Sequence, residues 1–171
     1  MTDAEDVSPD LPDDVPGPRF ERRKRPLGLA AEPAKDPIPI AQIEQMVAPI
    51  ALYPDPLLTQ ILMASTYPLD LVQADRWQEE HQDLKGEALD KAVRGEPWDD
   101  SVKVLVQFPS VLGFMSDNLD WTQDLGDAVL AQMQDVIDAI QKLRREAELE
   151  GNLKSNDKQR VEKTEETIVI Q

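Results

Sequence analysis

The sequence predicts an all-α fold: a compact bundle of short helices joined at proline corners, one long amphipathic helix behind them, and a short β segment at the C-terminus. Three observations carry that prediction. From Met46 to Pro68 the string MVAPIALYPDPLLTQILMASTYP mixes apolar side chains with four prolines, a run that short helices joined by fixed corners satisfy. Aromatic–proline words recur at Tyr53-Pro54, Tyr67-Pro68 and Phe108-Pro109; proline has no backbone N–H and a locked φ, so it suits a first helical turn and breaks an interior. From about Asn118 to Glu150, apolar side chains return on one side at roughly 100° per residue.

The elements follow in order. Residues 1–37 hold seven of the 14 prolines, an acidic stretch, MTDAEDVSPDLPDD, and a basic one, RFERRKR. Such a composition buries too little apolar surface to offset chain entropy, so this part reads as a disordered Pro-rich arm. Residues 38–150 read as the helical domain and 151–171 as a polar linker with the β segment. Ile40, Ile43, Val47 and Ile50 form the stripe of a first helix that Pro49 must kink or end. Asp55 as N-cap and Pro56 at the first helical position start a second, running to about Ala64 or Ser65. A third runs from Pro68 to about His81 and turns Leu69, Val72 and Trp77 inward. Gly86 opens a short helix bearing Ala88, Leu89, Ala92 and Val93, stopped by Gly95 and Pro97. Asp99 or Asp100 caps the next, with Val102, Leu105 and Val106 inward, and Pro109 restarts a helix through Val111, Leu112 and Met115.

The long helix then places Leu119, Gly126, Val129, Leu130, Met133, Val136, Ile137, Ile140, Leu143 and Ala147 on one side. Asp117, Asp120, Asp124, Asp127, Asp135 and Asp138 fall on the other. Gly151-Asn152 stops it, and Arg144 and Arg145 suit the negative pole of its dipole. The predicted core is Leu57, Ile61, Leu62, Leu71, Val72, Trp77, Leu105, Phe108, Leu112, Trp121, Val129, Met133, Val136 and Ile140. Thr167-Ile168-Val169-Ile170 is a β-branched run that must pair, either with the segment around Val161 or with a strand from a partner.

Composition narrows function more by exclusion than by indication. The 171 residues suit one domain with tails. A net charge of −16 opposes non-specific attraction to nucleic acid or anionic lipid. Residues 38–150 hold 21 acidic and 8 basic side chains, so the acidity belongs to the folded part. The absence of cysteine removes disulfides, thiolate metal sites and cysteine nucleophiles together. No segment approaches the roughly 20 apolar residues of a membrane-spanning helix. The one signal-like stretch, Arg22-Arg23-Lys24-Arg25 before Leu27 to Ala31, has an apolar part shorter than the ~7–15 residues of a secretory core and lies behind an acidic opening. No export signal is read in it. The same basic cluster is the one place from which membrane contact is expected.

The residues offer few sites for chemistry. Asp residues spread along a helix cannot converge on one ion, so the acidic ladder reads as a solvated face or a surface for a basic partner. His81 sits in a polar string near a helix end and reads as a surface residue or C-terminal cap, and one histidine without cysteine makes no zinc site. Asp99-Asp100 beside Trp98, and Asp120 beside Trp121, set carboxylates next to sugar-stacking rings, the pattern a glycoside hydrolase would use; helix caps and buried indoles account for both as well. Tyr53, Tyr67, Trp98, Phe108 and Trp121 are the candidate lining of a binding groove for peptide or glycan. No catalytic, cofactor-binding or metal-ligating set is assigned, and no cofactor is expected.

Taken together, the words APIALYPDPLLTQILMASTYPLDLVQADRW (48–77), LKGEALD (84–90), PWDDSVKVLVQFPSVL (97–112), LDWTQDLGDAVLAQ (119–132), GNLKS (151–155) and TIVI (167–170) resemble a bacterial family designated domain of unknown function 3300. That resemblance implies an exported or envelope-associated, periplasmic setting, and it supplies no reaction or ligand. Members often carry a signal sequence in front and a further Val-, Tyr- and Pro-rich region behind, and this chain departs from that pattern at both ends. The expected function is a non-enzymatic interaction or scaffold module of the bacterial envelope. The alternative is a carboxylate-dependent hydrolase acting on envelope polymers. A protein partner is expected, with Thr167, Ile168, Val169 and Ile170 as its attachment point, and nucleic acid is not.

Overall fold

The computed structural model describes residues 36–164 and 167–171, and Asp36–Gln171 is one compact unit. The expected arm, with Arg22, Arg23, Lys24 and Arg25, lies outside the described residues up to Lys35. The unit is mostly helical. Its elements are α1 (Ile40–Val47), α2 (Asp55–Ala64), α3 (Pro68–Glu80), α4 (Glu87–Val93), α5 (Asp100–Leu105), α6 (Pro109–Asp117), α7 (Leu119–Leu149), β1 (Val161–Lys163) and β2 (Ile168–Ile170).

Proline sets the corners as expected. Tyr67 and Phe108, each preceding a proline, cap α3 and α6 with nearly the same backbone, φ −123°, ψ 59° and φ −120°, ψ 68°. At α2 the boundary is one residue earlier than predicted: Pro54 is the cap and Asp55 already helical. The Asp55 carboxylate is engaged by Arg144 at 2.6 Å instead of capping its own helix.

Asp99 does cap α5, accepting hydrogen bonds from the Ser101 backbone N–H at 2.9 Å and hydroxyl at 2.5 Å. Its own N–H donates to Asp70 Oδ2 at 3.0 Å, tying the start of α5 to the first turn of α3. The Ser101 hydroxyl, then the Ser101 N–H, hold its carboxyl below the ordinary value of 3.8, against some opposing desolvation. A depressed carboxylate stabilises the fold above its unfolded pKa, and that contribution is lost as pH falls through the lowered value. Asp99→Ala is therefore expected to cost about 1 kcal/mol at neutral pH. In urea titrations the difference from the parent should shrink as pH falls below 3.8.

One contiguous core joins α1 to α7, with Ile43, Ile61, Leu71, Leu105, Leu112 and Leu125 fully enclosed. Four expectations fail at its edge, and the first is Val72, which is half-buried and outside the cluster. Leu69 is exposed because Leu71 points inward, and two residues along a helix turn about 200°. Phe108 and Met133 also remain exposed. Phe108 sits at a corner, where its backbone rather than its ring makes the joint: its N–H donates to Leu105 O and its carbonyl accepts from Leu112 N. Met133 lies on the rim of a groove described below.

The long helix is not continuous. Gln132 has φ −140° and ψ 43°, breaking α7 into two halves without a proline or glycine at that position. Its side-chain amide is used as a strand would be: Oε1 accepts from Ile38 N at 2.7 Å and Nε2 donates to Ile38 O at 3.2 Å. Gln141 repeats the device, accepting from Ile168 N at 2.7 Å and donating to Ile168 O at 3.2 Å. Two amides of one helix thus hold the extended segments that enter and leave the helical body. At the far end Gly151, φ +77°, closes α7, with Asn152 N donating to Ala147 O and Gly151 N to Glu148 O. This is the glycine-terminated stop read from Gly151-Asn152.

Of the two pairings open to the C-terminal run, the internal one forms. β1 and β2 are antiparallel with Val161 opposite Ile170. Ile168 and Ile170 are buried in a second small cluster with Leu153, against Ala147 and Val161. The outward polar groups of Ile168 are closed off by Gln141 and Arg144. A partner strand at Thr167, Ile168, Val169 and Ile170 would have to open these contacts. β2 (Ile168–Ile170) is thus packed on α7, with Ile168 and Ile170 turned inward.

Candidate functional site

The five aromatic residues expected to line a groove are distributed over separate joints. Trp98 is buried, its ring edge-on to Trp77 at 5.8 Å and its Nε1 donating to Gln73 Oε1 at 3.3 Å. Trp121 is half-buried, donating to Met46 O at 2.9 Å and packing edge-on to Phe114. Each indole pins two elements together. Tyr67 is exposed at the start of α3. Tyr53 and Phe108 are exposed at the corners before α2 and α6. A buried Trp98 beside a capping Asp99 is not available as a sugar platform with its acid, and Asp120 is simply exposed. His81 follows α3 and stacks on Trp77 at 4.1 Å, with Nδ1 donating to Trp77 O at 2.7 Å, the C-terminal capping role read for it.

An apolar groove lies elsewhere, between α2 and α7, and its geometry follows from how those helices touch. At one end the backbones meet: a Cβ on Gly126 would stand 2.4 Å from Ser65 O. At the other the helices are joined by the Asp55–Arg144 ion pair. The break at Gln132 lies between these two contacts. There the helices leave a cavity of about 260 Å³. Leu58, Leu62 and Ile140 are buried in its floor. Met63 (46% exposed), Met133 (39%) and Ile137 (41%) form its rim. Methionine is unbranched and polarisable, so two of them on a rim suit an adaptable apolar contact.

Arg144 closes the polar end and is fully buried. Its Nε donates to Ala51 O at 2.8 Å, Nη1 to Ile168 O at 2.7 Å and Nη2 to Tyr53 O at 3.0 Å, while Nη1 also meets Asp55. The planar fork thus gathers the α1–α2 corner, the start of α2 and strand β2. The sequence reading gave Arg144 to the helix dipole. The signal that would have found it is its phase: it follows Val136 and Ile140 at four-residue steps and precedes Ala147 by three, a core position occupied by a charge.

The acidic ladder behaves as a solvated face, with Asp117, Asp120, Asp124 and Asp138 exposed and Asp135 held by Gln132 Nε2 at 2.9 Å. Among the described residues no cluster of His, Cys, Asp and Glu has the form of a metal site, and no helix is long and apolar enough to cross a membrane.

The sequence model of a family described as protein of unknown function (DUF3300) matches residues 40–171. The uncharacterized protein YacH of Escherichia coli strain K12 is 53% identical over 121 residues, which is 71% of this chain and 20% of YacH. The chain therefore spans about one fifth of the length of that relative. No solved structure matches.

Proposed function

The chain belongs to the DUF3300 family of proteins of unknown function, and from that premise we propose that it is a non-enzymatic interaction module of the bacterial envelope, with the α2/α7 groove as its binding element. The observation that carries this reading is the rim: Met63, Met133 and Ile137 stay exposed over an apolar floor between helices that touch at both ends. A groove of this kind accepts the apolar face of a partner segment. The envelope setting rests on the family resemblance alone.

The test is photo-crosslinking in bacterial cells that produce the protein, with a photoreactive residue at Ile137 or, as control, at Leu69, which is exposed on α3. A discrete adduct is expected from Ile137 and not from Leu69. It should disappear when Met63 and Met133 are changed to glutamine, while the melting temperature stays within the range normal for exposed sites. Equal adducts from both positions, or an Ile137 adduct indifferent to the glutamines, would remove the groove from this role.

A further inference from the structure

We propose that residues 36–38 are a latch holding the break in α7, and that displacing them straightens this helix and reshapes the α2/α7 groove without touching its lining. The inference rests on the shape of the groove and not on what binds there, so the two readings fail separately. Local preference and observed backbone conflict at the break. Sharp breaks inside helices have identifiable causes, chiefly a proline, a glycine–serine pair or an inserted group. Residues 127–150 contain no proline, glycine or serine, and Ala131, Gln132, Met133 and Gln134 are all good helix formers. Left to itself, this stretch would run through as helix. Gln132 nevertheless has φ −140° and ψ 43°, so the cause lies outside α7.

The pair that Gln132 makes with Ile38 supplies that cause. Pro37 and Pro39 have no N–H, so Ile38 carries the one backbone donor of these three residues, and Gln132 Oε1 takes it at 2.7 Å. Nε2 returns a bond to Ile38 O at 3.2 Å and a second to Asp135 Oδ2 at 2.9 Å. Once Ile38 leaves, water can satisfy the amide, and the backbone at Gln132 is free to rejoin the helix. Only residues 36–38 need move for this, because Pro39 O is fixed to the first turn of α1 by Gln42 N and Ile43 N. Position links the latch to the groove. The break lies between the contacts at Gly126 and at Arg144 that tie α7 to α2, and Met133 and Ile137 follow it on the rim. A change of angle at Gln132 must be taken up between those two ties, where the groove is.

The test measures distances between paired spin labels on the full chain, which has no cysteine of its own to interfere. One pair, Asp124→Cys with Arg145→Cys, uses exposed positions on either side of the break and reads the angle of α7. A continuous helix would set their backbones roughly 31 Å apart, at a rise of 1.5 Å per residue. A second pair, Thr59→Cys with Gln134→Cys, is also exposed and spans the groove. The parent is expected to give less than the straight value for the first pair. Gln132→Met keeps the length and the helix propensity without the amide, and should move that pair to the straight value and shift the second pair with it. Ile38→Pro removes the N–H from the other side of the bond. It should produce the same shifts and add nothing to Gln132→Met, and it carries the test alone should Gln132→Met fail to fold. Folded variants that keep the parent's Asp124–Arg145 distance would overturn the latch and assign the break to packing on α2. A straightened α7 with an unchanged Thr59–Gln134 distance would overturn the coupling to the groove. A parent already at the straight distance would overturn the break itself.

Discussion

Arg144→Ala is expected to lower the free energy of unfolding by about 3–5 kcal/mol, the loss typical of breaking a buried charge network from one side. The guanidinium is fully enclosed and holds three backbone carbonyls and a carboxylate. Its removal takes a donor from the carbonyls of Ala51, Tyr53 and Ile168. Ile168 O keeps Gln141 Nε2, whereas the buried Ala51 O loses the partner that Nε supplied, and unsatisfied buried polar groups cost more than their bonds contributed. Arg144→Lys should recover only a small part, because an ammonium is a point donor and cannot span those acceptors. Asp55→Asn should cost less than either, since that carboxylate is about one-third exposed and water can replace its partner. Urea denaturation of the three variants checks the order. A loss under about 1 kcal/mol for the alanine variant would mean that Arg144 is a surface cation and the network does not exist.

Gly126→Ala carries the second large effect, and two terms of opposite sign compete in it. Inside a helix, alanine is favoured over glycine by roughly 1 kcal/mol. Here the added Cβ would lie 2.4 Å from Ser65 O and 2.9 Å from Ser65 C. Those neighbours are backbone atoms at the end of α2, with no rotamer to change, so the helices must separate and loosen the packing around them. A net destabilisation of about 1–3 kcal/mol is expected. A variant more stable than the parent would mean that α2 and α7 do not meet at this point. Because this contact closes one end of the groove, Gly126→Ala should also weaken whatever binding the Ile137 crosslink reports.

By itself the sequence determined the helices, their order and most of their ends. Those are local matters: a proline sets φ at Pro68 and Pro109, an aspartate at position 99 accepts from the Ser101 N–H two residues on, and a glycine at position 151 tolerates φ +77°. Periodicity also named much of the core, since Ile61, Leu71, Leu105, Leu112, Val136 and Ile140 are all buried. It failed where burial depends on what lies opposite. Met133 and Ile137 belong to the same stripe as Val136 and Ile140, yet they stand open on the rim of the cavity between two contacts of α2 with α7, at Gly126 and at Arg144. The break at Gln132 has no residue-level signature either, since it accompanies a hydrogen-bonding opportunity offered by Ile38, 94 residues away. Likewise the role of Arg144 depends on carbonyls brought to it from Ala51, Tyr53 and Ile168. Tertiary structure alone decided these three features, and the groove with them. Each is a relation between segments far apart in the chain, whereas propensity and periodicity describe only what neighbouring residues do to one another.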